Sequence, residues 1–178
     1  LPAFTTPTVA MFGWAIVIGV ACPLIGWLVY TIALSLRTLV HARRFVVTPL
    51  LGVTIAVLAI VFAEITGQAQ ANVLFSGQAQ LPVLIEQSAT WSTGALLVLI
   101  VCKGLAYGLS LSAFRGGPIF PSLFIGGAIG LVVADLPGMS IVPGLAIGIG
   151  AMCVSMLKLP FTSVLLATVM LSSDAYAV

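Results

Sequence analysis

Polar residues are scarce in this chain and fall in groups, so they divide it into apolar segments of unequal length. The first segment covers residues 9–36, which at about 1.5 Å per residue exceeds a hydrocarbon core of roughly 30 Å and predicts a tilted or kinked helix. Pro23 is the expected kink. A basic loop follows at residues 37–44, carrying Arg37, His41, Arg43 and Arg44, and a second span runs over residues 48–65, so the two spans predict a helical hairpin. Between residues 67 and 90 the apolar pattern breaks. Gly67-Gln68-Ala69-Gln70 is echoed by Gly77-Gln78-Ala79-Gln80, too short an echo for a repeat architecture, and residues 81–86 read as a short helix opened by Pro82. The third span covers residues 92–111 and ends in a turn at 112–117.

Three shorter apolar pieces complete the chain, at residues 121–134, 142–157 and 160–171, each opened by a proline and separated by Leu136-Pro137-Gly138 and by Lys158-Leu159. Pieces of roughly 12–16 residues cross a bilayer poorly unless they are broken or re-entrant, and short helices interrupted by Gly and Pro point to a transport pathway. Six helical pieces in all predict an all-α membrane protein of tilted, broken and re-entrant helices. The long unbroken apolar runs exclude a β-barrel.

Composition supports the same class. Hydrophobic residues make up 61% of the chain, charged residues 6%, and the mean hydropathy is +1.29, more apolar surface than a soluble domain can hide. The net charge of +2 is too small to suggest nucleic acid as a partner; the placement of the charges says more. If the Arg37–Arg44 stretch is cytoplasmic, two crossings later Arg115 is as well, and two further crossings bring Lys158 to the same side, in accord with the positive-inside rule. The acids Glu64, Glu86, Asp135 and Asp174 then fall toward the other face, near the ends of apolar pieces. Lys103 alone lies within a span. With no initiator Met before Leu1-Pro2-Ala3 and an apolar run just before Val178, both ends read as cuts.

No enzyme constellation emerges. His41, the single histidine, sits in the basic stretch without a cysteine or carboxylate at ligand spacing, so neither a metal nor a cofactor is expected. Cys22, Cys102 and Cys153 each lie inside an apolar segment, without C-x-x-C spacing, and read as small core residues. The acids do not pair with a base as general acid–base work requires. Lys103 is more telling, because an ionisable group within a span is costly and suggests function, although its stem can also snorkel or find a structural partner.

The informative segment runs from Ser112 through Phe114-Arg115-Gly116-Gly117-Pro118-Ile119-Phe120-Pro121 to Gly130. Glycines and prolines set a turn at the start of a short helix, whose terminal N–H groups carry partial positive charge, and at mid-membrane depth such a terminus is an anion site. Read blandly, Gly126, Gly127 and Gly130 are small-residue packing positions and the Gly-Gly-Pro turn is a break.

The segment resembles the anion-binding loop of the CLC family of chloride channels and anion–proton antiporters, with the pattern S-G-x-x-G-G-I-F-A-P-x-L followed by a small-residue helix; Ser112, Gly116, Gly117, Pro121, Leu123 and Gly126 fall in register. Residues 19–44 resemble the long helix opening that family's second half, Phe75-Ser76-Gly77 through Leu81-Pro82 its short broken helix, and Lys158-Leu159-Pro160-Phe161-Thr162 its R-A-P-L-T helix start. The resemblance implies that residues 1–178 are the second half of an inverted-repeat membrane domain, truncated at both ends. It further implies multi-pass cell-membrane placement, the first half of the same domain and a second copy of the protein as partners, chloride or a similar small anion as cargo, and Gly117, Pro118, Ile119, Phe120 and Pro121 as the anion-binding residues. Two departures stand out. Ile119 takes the usual Phe position, and Pro118 replaces a residue that offers an N–H, so the site is weaker, retuned, or shifted toward the Ile119 and Phe120 amides. The family's gating glutamate and its other coordinating loops belong to the first half, and its coordinating tyrosine lies beyond Val178; Tyr176 falls too early to stand in for it, so channel and antiporter are not separable.

Two rival classes remain at this point. A secondary transporter of another fold, carrying an organic anion, needs several polar side chains between residues 121 and 171, where they are sparse. A scaffold that transports nothing predicts full-length spans and no buried helix N-termini.

Overall fold

The computed structural model describes residues 8–114 and 116–173. Among them the chain forms eight α-helices and one 3-10 turn, without strands: α1 (Val9–Ala42), α2 (Arg44–Thr66), α3 (Ala71–Leu74), α4 (Gln80–Glu86), the turn Ser88–Thr90, α5 (Thr93–Ala113), α6 (Ile119–Ala134), α7 (Ile141–Leu157) and α8 (Pro160–Ser173). The all-α expectation holds. Three helices, α1, α2 and α5, are long and apolar enough to cross a bilayer, and α6, α7 and α8 are the short pieces, at 16, 17 and 14 residues.

The basic stretch is not a loop. Arg37 and His41 lie in the last turns of α1, Arg44 opens α2, and the joint is Arg43 alone, at φ −138 and ψ 47. No Gly or Pro stands between Gly26 and Pro49 to stop a helix, and cations are favourable at a helix C-terminus, so the helix runs on through the charged residues. At 34 residues α1 is about 50 Å long. It also stays one helix through Pro23.

Both copies of the Gln-Ala-Gln echo begin with a left-handed glycine, Gly67 at φ 68 and Gly77 at φ 93, and each is followed by a short helix. The echo therefore marks two turns of similar backbone, where a Cβ would be strained.

Each long helix has a face left bare, with Trp27 and Leu34 on α1 and Val53 and Ile65 on α2 well exposed, as lipid-facing positions require. At the centre sits α6, every residue of which from Pro121 through Leu131 is buried. It packs most closely on α7, and α5 covers another side. Where α6 crosses α7 the backbones nearly touch: a Cβ placed on Gly126 would lie 2.6 Å from the Gly148 carbonyl oxygen, and one on Gly130 would lie 2.6 Å from that of Gly144. The bland reading of Gly126 and Gly130 as packing positions is thus correct for those residues.

Hydrogen bonds sort the helix termini into two ends. At one end the Trp14 ring nitrogen donates to Pro137 O at 3.1 Å and the Thr93 hydroxyl to Asp135 Oδ2 at 2.8 Å, joining the starts of α1 and α5 to the α6–α7 turn. At the other end a cavity lined by Tyr30, Arg37, His41, Leu111 and Ser112 brings the last turns of α1 and α5 together. The Tyr30 hydroxyl donates to Met156 O at 2.9 Å and the Ser155 hydroxyl to Cys22 O at 3.3 Å, which sets the close of α7 against the middle of α1. Arg115 and Asp174, used in the charge reading, lie outside the described residues, as do the chain ends and Tyr176.

Candidate functional site

The turn before α6 is built by residues that cannot extend α5. Phe114 leaves α5 in an extended conformation, Gly116 and Gly117 continue without helix, and Pro118 takes the N-cap position at φ −79. Proline is pre-set for the start of a helix, so α6 begins at Ile119, two residues ahead of the expected Pro121.

The first turn of a helix leaves N–H groups without carbonyl partners. In α6 proline removes one of these, at Pro121, and the Ser122 N–H is taken by Pro118 O at 3.3 Å. Ile119 and Phe120 keep theirs. The Ser122 hydroxyl also donates to Pro118 O, which holds the turn closed.

Beside this turn is a cavity of about 190 Å³, far above the roughly 15 Å³ that admits a water molecule. Gly116, Gly117 and Pro121 form one wall, Lys103, Ala106, Tyr107 and Ser110 of α5 another, and Val73 of α3 with Phe75 and Ser76 of the α3–α4 connection a third. Of the five expected site residues, Gly117 and Pro121 lie on this wall. Pro121 is buried and Gly117 exposed, while the Ile119 and Phe120 side chains are 39% and 37% exposed. Phe120 borders a second, apolar cavity with Leu81, Leu123 and Met170.

Lys103 does not snorkel. It is 2% exposed, and its ammonium donates to Val73 O at 3.1 Å and to Phe75 O, with Nζ 5.1 Å from the centre of the Phe124 ring. Backbone carbonyls at the end of α3 are partial negative charges, which is why a lysine is tolerated there. The sequence alone does not single out Tyr107. It stands four residues after Lys103, on the same helical face, and this i, i+4 spacing is the signal that could have found it. Its hydroxyl is buried and makes no hydrogen bond of ordinary geometry. Ser122 is near enough to act on it; the Ser122 hydroxyl gives its hydrogen to Pro118 O and keeps its lone pairs, so toward Tyr107 it can only accept.

Among the described residues no group of His, Cys, Asp and Glu is placed to hold a metal ion. Lys103, Tyr107 and Ser110 bring donor side chains to the cavity, and the spare Ile119 and Phe120 amides belong to the neighbouring turn rather than to its wall. Such a set suits an anion.

No curated protein and no solved structure matches this chain. A family model described as voltage gated chloride channel matches residues 2–178, nearly the full length. The chain belongs to the voltage-gated chloride channel family, whose members are membrane channels or transporters of anions rather than enzymes.

Proposed function

We propose that the chain supplies the second half of a membrane domain that moves chloride or a similar small inorganic anion, as a channel or a proton-coupled antiporter. In this reading the turn Gly117-Pro118-Ile119-Phe120-Pro121 meets the anion, and the Ile119 and Phe120 amides are the donors. The observation that carries it is the spare N-terminal end of α6 beside a cavity that, among the described residues, no carboxylate lines. A helix N-terminus attracts negative charge, and backbone donors suit a small ion better than an organic substrate.

The first half of the same domain closes the other side of the pathway, and two copies form a homodimer with one pathway each, as the family resemblance implies. Orientation follows from charge. Arg37, His41, Arg43 and Arg44 cluster at the bundle end that also receives the close of α5, so that end is cytoplasmic under the positive-inside rule, and Arg115 and Lys158 are assigned to the same side on the charge pattern of the sequence. Cysteine labelling that placed Arg43 and Lys158 on opposite faces would reject this orientation.

The test of function is chloride efflux from vesicles reconstituted with the complete protein. Efflux that depends on the protein is expected. Vesicles that retain chloride while the protein is folded and inserted would refute the proposal.

A further inference from the structure

We propose that α5 supplies two side-chain ligands, the Tyr107 hydroxyl and the Lys103 ammonium, to an anion held in the cavity beside the α6 turn. The inference rests on the anion-transport reading and deepens it, by assigning ligands outside the loop.

The argument begins with what each group lacks. Tyr107 is 7% exposed and lines the cavity, and its hydroxyl is fully enclosed, with no hydrogen-bond partner of ordinary geometry among the described residues. Buried hydroxyls are nearly always hydrogen-bonded, so an unpartnered one at the edge of a cavity points to a missing partner. Lys103 has three N–H donors, and two are spoken for by Val73 O and Phe75 O. Its charge has no ion-pair partner among the described residues, and a buried charge balanced only by carbonyl dipoles and an aromatic face is under-compensated.

Geometry puts the two deficits in one place. Lys103 and Tyr107 are one helical turn apart and share the cavity with Gly116, Gly117 and Pro121. A cation does not suit this space, since among the described residues no carboxylate lines it and the Lys103 side chain does. An anion satisfies both groups at once: it accepts from the hydroxyl and neutralises the ammonium. It also lies beside the turn in which Pro118 offers no N–H, so side-chain donors add to a turn that lacks one backbone donor. Water could fill the same cavity and satisfy Tyr107, but it would leave the charge of Lys103 unbalanced.

The probe is chloride, titrated calorimetrically into the complete protein and into its Tyr107→Phe and Lys103→Met variants, with efflux from vesicles measured in parallel. Tyr107→Phe keeps the ring and removes only the hydroxyl, so it is expected to fold normally and to bind chloride about tenfold more weakly, the loss of one hydrogen bond to a charged group. Lys103→Met is expected to weaken binding by at least as much; because it also frees the Val73 and Phe75 carbonyls, its result counts only alongside an unfolding curve. Chloride affinity in Tyr107→Phe within about twofold of the parent would overturn the inference, and so would tighter binding. A parent protein that neither binds nor releases chloride would instead refute the proposed function, and the two failures are thereby told apart.

Discussion

Two stretches of the chain, one within α6 and one just before it, lie little more than two turns apart and are packed in opposite ways. Along Gly126 and Gly130 the helix meets α7 so closely that the carbonyls of Gly144 and Gly148 fill the space a side chain would need. At Gly116 and Gly117, just before its start, a Cβ would meet nothing within 4 Å. Glycine is used in both places for different reasons. In the seam it lets two backbones touch, which in lipid replaces the hydrophobic drive that water would provide. In the turn it frees the chain to end α5 and leaves an open wall beside the spare amides of α6.

The sharpest way to break this comparison is to load the seam. Gly126→Val places its branches against backbone atoms of Gly148 and Ile149, which cannot turn aside as a side chain would, and it is expected to destabilise the protein by about 3 kcal/mol or more. Thermal unfolding in detergent measures it; a variant that unfolds like the parent would show that the seam is looser than described.

Gly77→Ala tests the other helix that leans on α6. The new methyl would lie 2.6 Å from the Phe124 Cβ, and Gly77 holds φ 93, so clash and backbone strain add to roughly 2 kcal/mol of destabilisation. Because Phe124 sits under the Lys103 ammonium, chloride affinity should fall as well. Stability lost with affinity intact would separate the α3–α4 connection from the site.

Tyr30→Phe removes the hydrogen bond to Met156 O that ties α1 to the close of α7, and about 1 kcal/mol of stability is expected to go with it. No change in chloride efflux should follow, since Tyr30 borders the basic cavity and not the one beside α6.

The smallest effects belong to the turn. Pro118→Ile restores an N–H at the N-cap while leaving the helix start in place; with the Ile119 and Phe120 amides already serving, chloride affinity is expected to stay within about threefold, or roughly 0.6 kcal/mol. A gain of tenfold by calorimetry would mean that Pro118 withholds a needed donor. Gly117→Ala, with open space around it, is expected to change stability by less than about 0.5 kcal/mol, in contrast to Gly126→Val in the seam.

The sequence by itself determined the solvent, the class and the punctuation. Runs such as residues 48–65 are too apolar for water, and the prolines and glycines at 116–121, 137–138 and 160 mark where helices stop and restart, because those residues act on the local backbone whatever surrounds them. The Gly-Gly-Pro loop was legible for the same reason, down to the missing N–H at Pro118. Helix limits around charges were not: residues 37–44 read as a loop because they are polar, yet polarity does not break a helix that emerges from lipid.

Only the tertiary structure decided which faces meet. In a water-soluble helix the polar side announces the surface, but here the lipid-facing and buried sides are equally apolar, and that contrast vanishes. Leu97, exposed, and Leu96, buried, differ in nothing but their angle around α5. Tyr107 was invisible for this reason, and Lys103, though conspicuous, had no readable partner, since the groups that hold it are backbone carbonyls of Val73 and Phe75. Backbone atoms are the same at every position, so a site made from them is chosen by how the chain crosses itself.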